Sequence, residues 1–128
     1  MQFAVKAAPV PGAGAKSLSF NEKTMYRGKD VRVDDEIFVF GSDHQGGRGL
    51  AAKRVVKSVD HGPGIRVRIG VRCTAVARRS LGRRELTRFR DVDDHQPQTD
   101  IARTLYRHST NKIAGISDEA ATFLSTYF

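Results

Sequence analysis

The stretch FVFGSDHQGGRGLAAKRVV, residues 38–56, decides how the chain folds. An apolar run ends in Gly41-Ser42-Asp43-His44, then Gly46-Gly47-Arg48-Gly49 leads into a second apolar run. Glycines around an arginine invite comparison with a phosphate cradle. Such a loop needs GxxxxGK followed by Ser or Thr, between a strand and a helix. Here Gly49 is followed by Leu50 and by residues of strand character, so neither that loop nor a dinucleotide fingerprint fits. Asp43 and His44 lack partners for a metal, because no HxH, HExxH or CxxC occurs and His61, His95 and His108 stand singly. Ser42 beside Asp43 and His44 is not a nucleophile motif either, since catalytic groups of that kind meet in space and no GxSxG is present. The remaining reading is a tight hairpin, with glycines supplying positive φ and Ser42 and Asp43 bonding their own turn.

Working outward, further strands appear. Residues 65–74 alternate strictly, with Ile65, Val67, Ile69, Val71 and Cys73 on one face and Arg66, Arg68, Gly70, Arg72 and Thr74 on the other. Cys73 falls on the oily face and reads as a small buried hydrophobe. HGPG at 61–64 is a turn joining this strand to the long run GLAAKRVVKSVD. QFAVKA at 2–7 reads as a first strand, with Phe3 and Val5 on one side. DEIFVFGS is a strand apolar on both faces, and NKIAGI suits a last strand. SLSFNEKTMYRGKDVRV is ambiguous: Ser19 or Asn21 would cap a short helix, with a turn at Gly28 and Asp30. Short helices are expected at 80–89 and 99–108, the second capped by Thr99. A terminal helix follows Ser117, with Asp118 and Glu119 in its first turn and Ala120, Phe123, Leu124 and Tyr127 inward. The acidic loop 91–100 and the Asp34-Asp35-Glu36 run read as solvated turns. The class is α+β: five to seven largely antiparallel strands closing into a small barrel, decorated with short helices and a C-terminal helix.

Composition sets the function classes. The 128 residues suit one domain spanning 1–128, with 39% hydrophobic and 28% charged residues. No apolar run approaches the roughly 18 residues of a membrane span, and Pro and Gly interrupt the apolar start at residues 9–14, so a cytoplasmic protein that makes no membrane contact is expected. One cysteine leaves no internal disulfide and no multi-cysteine zinc site. No metal or cofactor is expected, and a monomer is the expected state. The net charge of +8 is concentrated: residues 65–90 hold nine arginines against one acid, Glu85, while the rest of the chain balances. Arginine forks onto phosphate oxygens, so an all-arginine excess points to a polyanion.

Three blocks in this order resemble the EVE domain, a member of the PUA-like superfamily of small β-barrels. VRVDDEIFVFGSD with GLAAKRVVKSVD (31–60) resembles its strand ending in aromatic-x-Ser and the hairpin that follows. ELTRF (85–89) is similar to the short segment after its central strand, and LYRHSTNKIAGISDEAATFL (105–124) to its Arg-x-Ser strand and capped terminal helix. Tryptophan, common early in that family, is absent here; Phe20, Asn21 and Tyr26 stand in the corresponding region, and Gly41 replaces a usual His. The resemblance implies a binding module for DNA or RNA that takes a modified or flipped base in a barrel-side pocket. On that basis Phe20 and Tyr26 would stack on the base, and Asn21, Ser42 and Ser109 would hydrogen-bond it. Arg48, Arg107 and Lys112 would complete the ligand site, with Arg66, Arg68, Arg72, Arg78 and Arg79 on the phosphate backbone. Two alternatives stand beside it. Related domains include small hydrolases of modified nucleosides that use a Lys–Glu pair, for which Lys53 or Lys112 with Glu36 or Glu85 is the material. The third is an adaptor that offers the arginine row to an acidic protein.

Overall fold

A computed structural model describes residues 2–7, 17–41, 49–79, 81–89, 94, 96–106 and 111–128. Six strands close into a barrel: β1 (Gln2–Ala7), β2 (Ser17–Met25), β3 (Glu36–Gly41), β4 (Gly49–His61), β5 (Arg66–Val76) and β6 (Lys112–Ile116). Their order around the barrel is β1-β3-β4-β5-β2-β6. Four ladders are antiparallel; β1–β3 and β2–β6 are parallel, so the sheet is mixed. The helices are α1 (Arg83–Leu86), continued by a 3₁₀ turn at Thr87–Phe89, then α2 (Pro97–Tyr106) and α3 (Asp118–Ser125). No helix among the described residues is long and apolar enough to cross a membrane.

The alternation of each strand divides its side chains between two cores. Phe3 and Val5 of β1, Phe20 of β2, Ile37 and Val39 of β3, Val56 of β4 and Val67, Ile69 and Val71 of β5 fill the barrel, with Cys73 packed at the edge. The opposite faces of β1 and β3 are buried too. Ala4, Phe38 and Phe40 lie beneath a second cluster that contains Leu86, Ile101, Leu105 and Leu124 of the helices. Burying rings such as Phe38 and Phe40 contributes roughly 2–3 kcal/mol each, which fixes the helices to one side of the barrel. The other side, β2, β5 and the second half of β4, has no helix over it and exposes every other residue.

Two expectations are corrected. Residues 17–25 form a strand rather than a helix start, because Leu18, Phe20 and Thr24 alternate inward and the edge of β5 is there to pair with them. Helix α2 begins at Pro97, two residues before the expected cap; Pro at a first helical turn forfeits no hydrogen bond. Thr99 instead donates its hydroxyl to Asp94 at 2.5 Å. The expected hairpin strands of 38–56 are present as β3 and β4, paired to Gly41↔Gly49. Gly49 has φ +80°, and a Cβ there would stand 2.3 Å from the Leu81 carbonyl oxygen, so this position needs a glycine.

Candidate nucleic-acid interface

The uncovered side of the barrel is built around β5. Its pleat sends Val67, Ile69 and Val71 inward and leaves Arg66, Arg68 and Arg72 exposed outside. Register then sets their neighbours. On β2, Lys23 pairs with Arg66, Asn21 with Arg68, Ser19 with Gly70 and Ser17 with Arg72, and all four β2 residues are exposed. On β4, Asp60 pairs with Arg68 and Ser58 with Gly70. The Arg66 guanidinium donates to the Asn21 carbonyl at 3.2 Å, which lays it across the sheet rather than away from it.

Gly70 interrupts the arginine alternation for a steric reason. A bulge between Val56 and Ser58 pushes the Ser58 side chain over β5, where Ser58 Oγ accepts the Gly70 N–H at 3.1 Å. A Cβ on residue 70 would lie 2.5 Å from that oxygen. The gap opens a shallow groove of about 410 Å³ lined by Ser17, Leu18, Ser19, Lys57, Gly70 and Val71. Arg68 and Arg72 flank it along the strand. Lys57, carried by the bulge, stands 3.7 Å from Asp34. Inside the barrel wall, burial raises the Glu22 carboxyl above its ordinary range, an effect partly offset by the Arg66 charge.

The residues expected to form a ligand site are dispersed. Phe20 is only 4% exposed and packs in the barrel core, so its ring offers no face to a base; the pleat that brings Asn21 out takes Phe20 in. Tyr26 is 47% exposed just beyond the β2 end that pairs with Arg66, and it and Arg27 both have positive φ, 50° and 68°. Lys112 is fully buried, with its ammonium donating to the Thr104 carbonyl at 3.0 Å, so it faces helix α2 and not a ligand. Ser42, Arg48, Arg107 and Ser109 lie outside the described residues. The strand ends flanking them, Gly41, Gly49 and Lys112, gather with Ala7 at one end of the barrel.

The backbone-binding set also divides. Arg78 and Arg79 follow the far end of β5, about 33 Å of extended chain from Arg68. Arg79 donates to the Thr126 carbonyl at 2.9 Å and lies 4.3 Å from the Tyr127 ring centroid, so it closes the end of α3. Of the Lys–Glu pairings, Lys53 and Glu36 do meet, at 3.1 Å on the outer wall. Glu85 instead accepts the Gly82 N–H at the start of α1. No group of three His, Cys, Asp or Glu side chains that would hold a metal occurs among the described residues. The polar row Ser17, Ser19, Asn21 and Lys23 escaped the sequence reading. Its signal was the alternation in SLSFNEK, which short apolar residues mask.

No protein-family model matches the chain, and no curated protein matches it. Solved structures do. The DUF55 domain of human thymocyte nuclear protein 1 superposes with a TM-score of 0.70 at 12% identity, covering 99% of this chain and 98% of that one. The human THYN1 protein in complex with 5-methylcytosine-containing DNA gives a TM-score of 0.66 at 14% identity, covering 98% and 96%. At such identities the likeness is one of fold, and it extends over nearly the whole chain: this protein is a PUA-like β-barrel.

Proposed function

We propose that this protein is a nucleic-acid-binding domain that recognises a modified or flipped base. The observation that carries the reading is the uncovered β2–β5 wall, where Arg66, Arg68, Arg72, Lys23 and Lys57 are all exposed and Asp60 is the one acid registered against the row. Guanidinium groups at alternate positions of an extended strand present about one cation per 6.6 Å along the wall, a geometry suited to successive phosphates of one nucleic-acid strand. The fold likeness to a protein crystallised with 5-methylcytosine-containing DNA supports the choice of partner. Exposed Tyr26, held in a rarely adopted backbone conformation near Arg66, is the aromatic side chain placed to stack on a base.

The test is a titration panel of single- and double-stranded DNA and RNA, plain and carrying 5-methylcytosine or other base modifications, at two salt concentrations. The triple variant Arg66→Ala/Arg68→Ala/Arg72→Ala is run alongside. Binding that weakens steeply with salt and is largely lost in the triple variant is expected. Failure of every oligonucleotide to bind, or indifference to the three arginines, overturns the reading.

A further inference from the structure

The arginine row has a missing member at Gly70, and what replaces the side chain is a groove rather than a flat wall. Its floor is apolar, from Leu18 and Val71, and its edges carry the Ser17 and Ser19 hydroxyls and the Lys57 ammonium. At about 410 Å³ it falls within the roughly 300–1,000 Å³ of small-molecule sites. Arg68 and Arg72 stand on either side, about 13 Å apart along the strand. From this we infer that the groove is a nucleotide subsite. A strand held by Arg68 and Arg72 drops one unstacked base between them, against Leu18 and Val71, with its polar edge toward Ser17, Ser19 and Lys57.

The inference rests on the proposed nucleic-acid reading and adds a second base-contacting place, on the outer wall and separate from the strand ends that flank Ser42 and Ser109. The chemistry suits a base better than a second phosphate. A phosphate would be met by charge alone, whereas the apolar floor gains only from a flat, poorly hydrated group. Lys57 is a donor without acceptor capacity, so the base edge it meets must carry acceptors, as the O6 and N7 of guanine do.

Ser19→Phe fills the groove without changing charge at an exposed strand position; Ser17→Phe does so from its other end and serves if the first variant melts early. Each is titrated with single-stranded oligonucleotides that are complete or contain one abasic nucleotide. The expected result is about tenfold weaker binding of the complete oligonucleotide, an unchanged salt slope, and loss of the preference for complete over abasic DNA. Wild-type binding that both variants retain, with the abasic preference intact, overturns the subsite while leaving the arginine-row reading standing. Absence of wild-type binding to any oligonucleotide overturns both.

Discussion

Lys6 and Lys112 are paired across the β1–β6 ladder, and their ammonium groups donate to consecutive carbonyls of α2, Leu105 at 2.8 Å and Thr104 at 3.0 Å. Both side chains are buried. The last carbonyls of a helix lack intrahelical donors and carry partial negative charge, so two cations there satisfy orphan acceptors and anchor α2 to the barrel. The arrangement has a cost. Burial, and then the charge of Lys6, lower the Lys112 pKa to about 8.

The pH dependence follows from that shift. Between about pH 8 and the ordinary lysine value, the unfolded chain binds a proton that folded Lys112 has released, so stability from this group rises with pH across the window. Below pH 8 the full penalty is present, about 3 kcal/mol. Urea unfolding of the wild type and Lys112→Met at pH 7, 8.5 and 10 isolates the effect. The wild type is expected to gain stability relative to the variant as pH rises, and a constant difference across the three values would contradict the assignment.

Gly49 tests the geometry of the β3–β4 corner. A methyl group there meets both a positive φ and the Leu81 backbone, whereas at Gly64, with φ +64°, nothing lies within 4 Å. Gly64→Ala is expected to cost about 1 kcal/mol from backbone conformation alone. Gly49→Ala adds a clash with backbone that has no flexible end to move, and a total of at least about 3 kcal/mol is expected. Thermal melts of the two variants separate the terms: a fall of about 10 °C or more is expected for Gly49→Ala, and equal melting temperatures would remove the steric argument.

The β5 strand was legible in the sequence because its two faces see different solvents, one the barrel core and one water, which is the condition under which a period of two is written plainly. On β1 the same alternation was incomplete. Phe3 and Val5 were readable as an inner face, but Ala4 and Lys6 are buried as well, under helices that local patterning does not reveal. Lys112 misled for the same reason: a lysine next to an apolar strand looks solvent-seeking until a helix end arrives to receive it. Phe20 was chosen as a platform by residue type, and its side of the strand becomes evident only once β2 is paired with β5. The parallel β1–β3 and β2–β6 pairings join segments distant in sequence and leave no local trace.

The junction of α2 and α3 gives a third measurement. Ser117 Oγ accepts the Ala120 N–H at 3.1 Å as the N-cap of α3 and donates to the Asp100 carboxylate of α2 at 2.7 Å. Ser117→Ala is expected to cost about 1–2 kcal/mol, the usual value of a cap. Because one hydroxyl serves both helices, Asp100→Ala and Ser117→Ala are expected to be non-additive by about 1 kcal/mol in a double-mutant cycle of unfolding free energies. Simple additivity would mean that the two helices are docked independently.

The last expectation separates arginines that are alike in sequence and different in structure. Arg68 projects from the uncovered wall, whereas Arg79 donates to Thr126 and stacks on Tyr127 at the end of α3. If the wall binds phosphates, Arg68→Ala removes one counterion-releasing contact and lowers the slope of log K against log salt by about 0.7–0.9, with little change in melting temperature. Arg79→Ala should do the reverse, leaving the slope intact while losing about 1 kcal/mol of stability from a broken hydrogen bond and ring contact. Oligonucleotide titrations across salt, paired with thermal melts of the same two proteins, read both quantities. A slope change in Arg79→Ala equal to that in Arg68→Ala would place the nucleic acid along the whole length of β5 and past its end, and the confined outer-wall site would have to be given up.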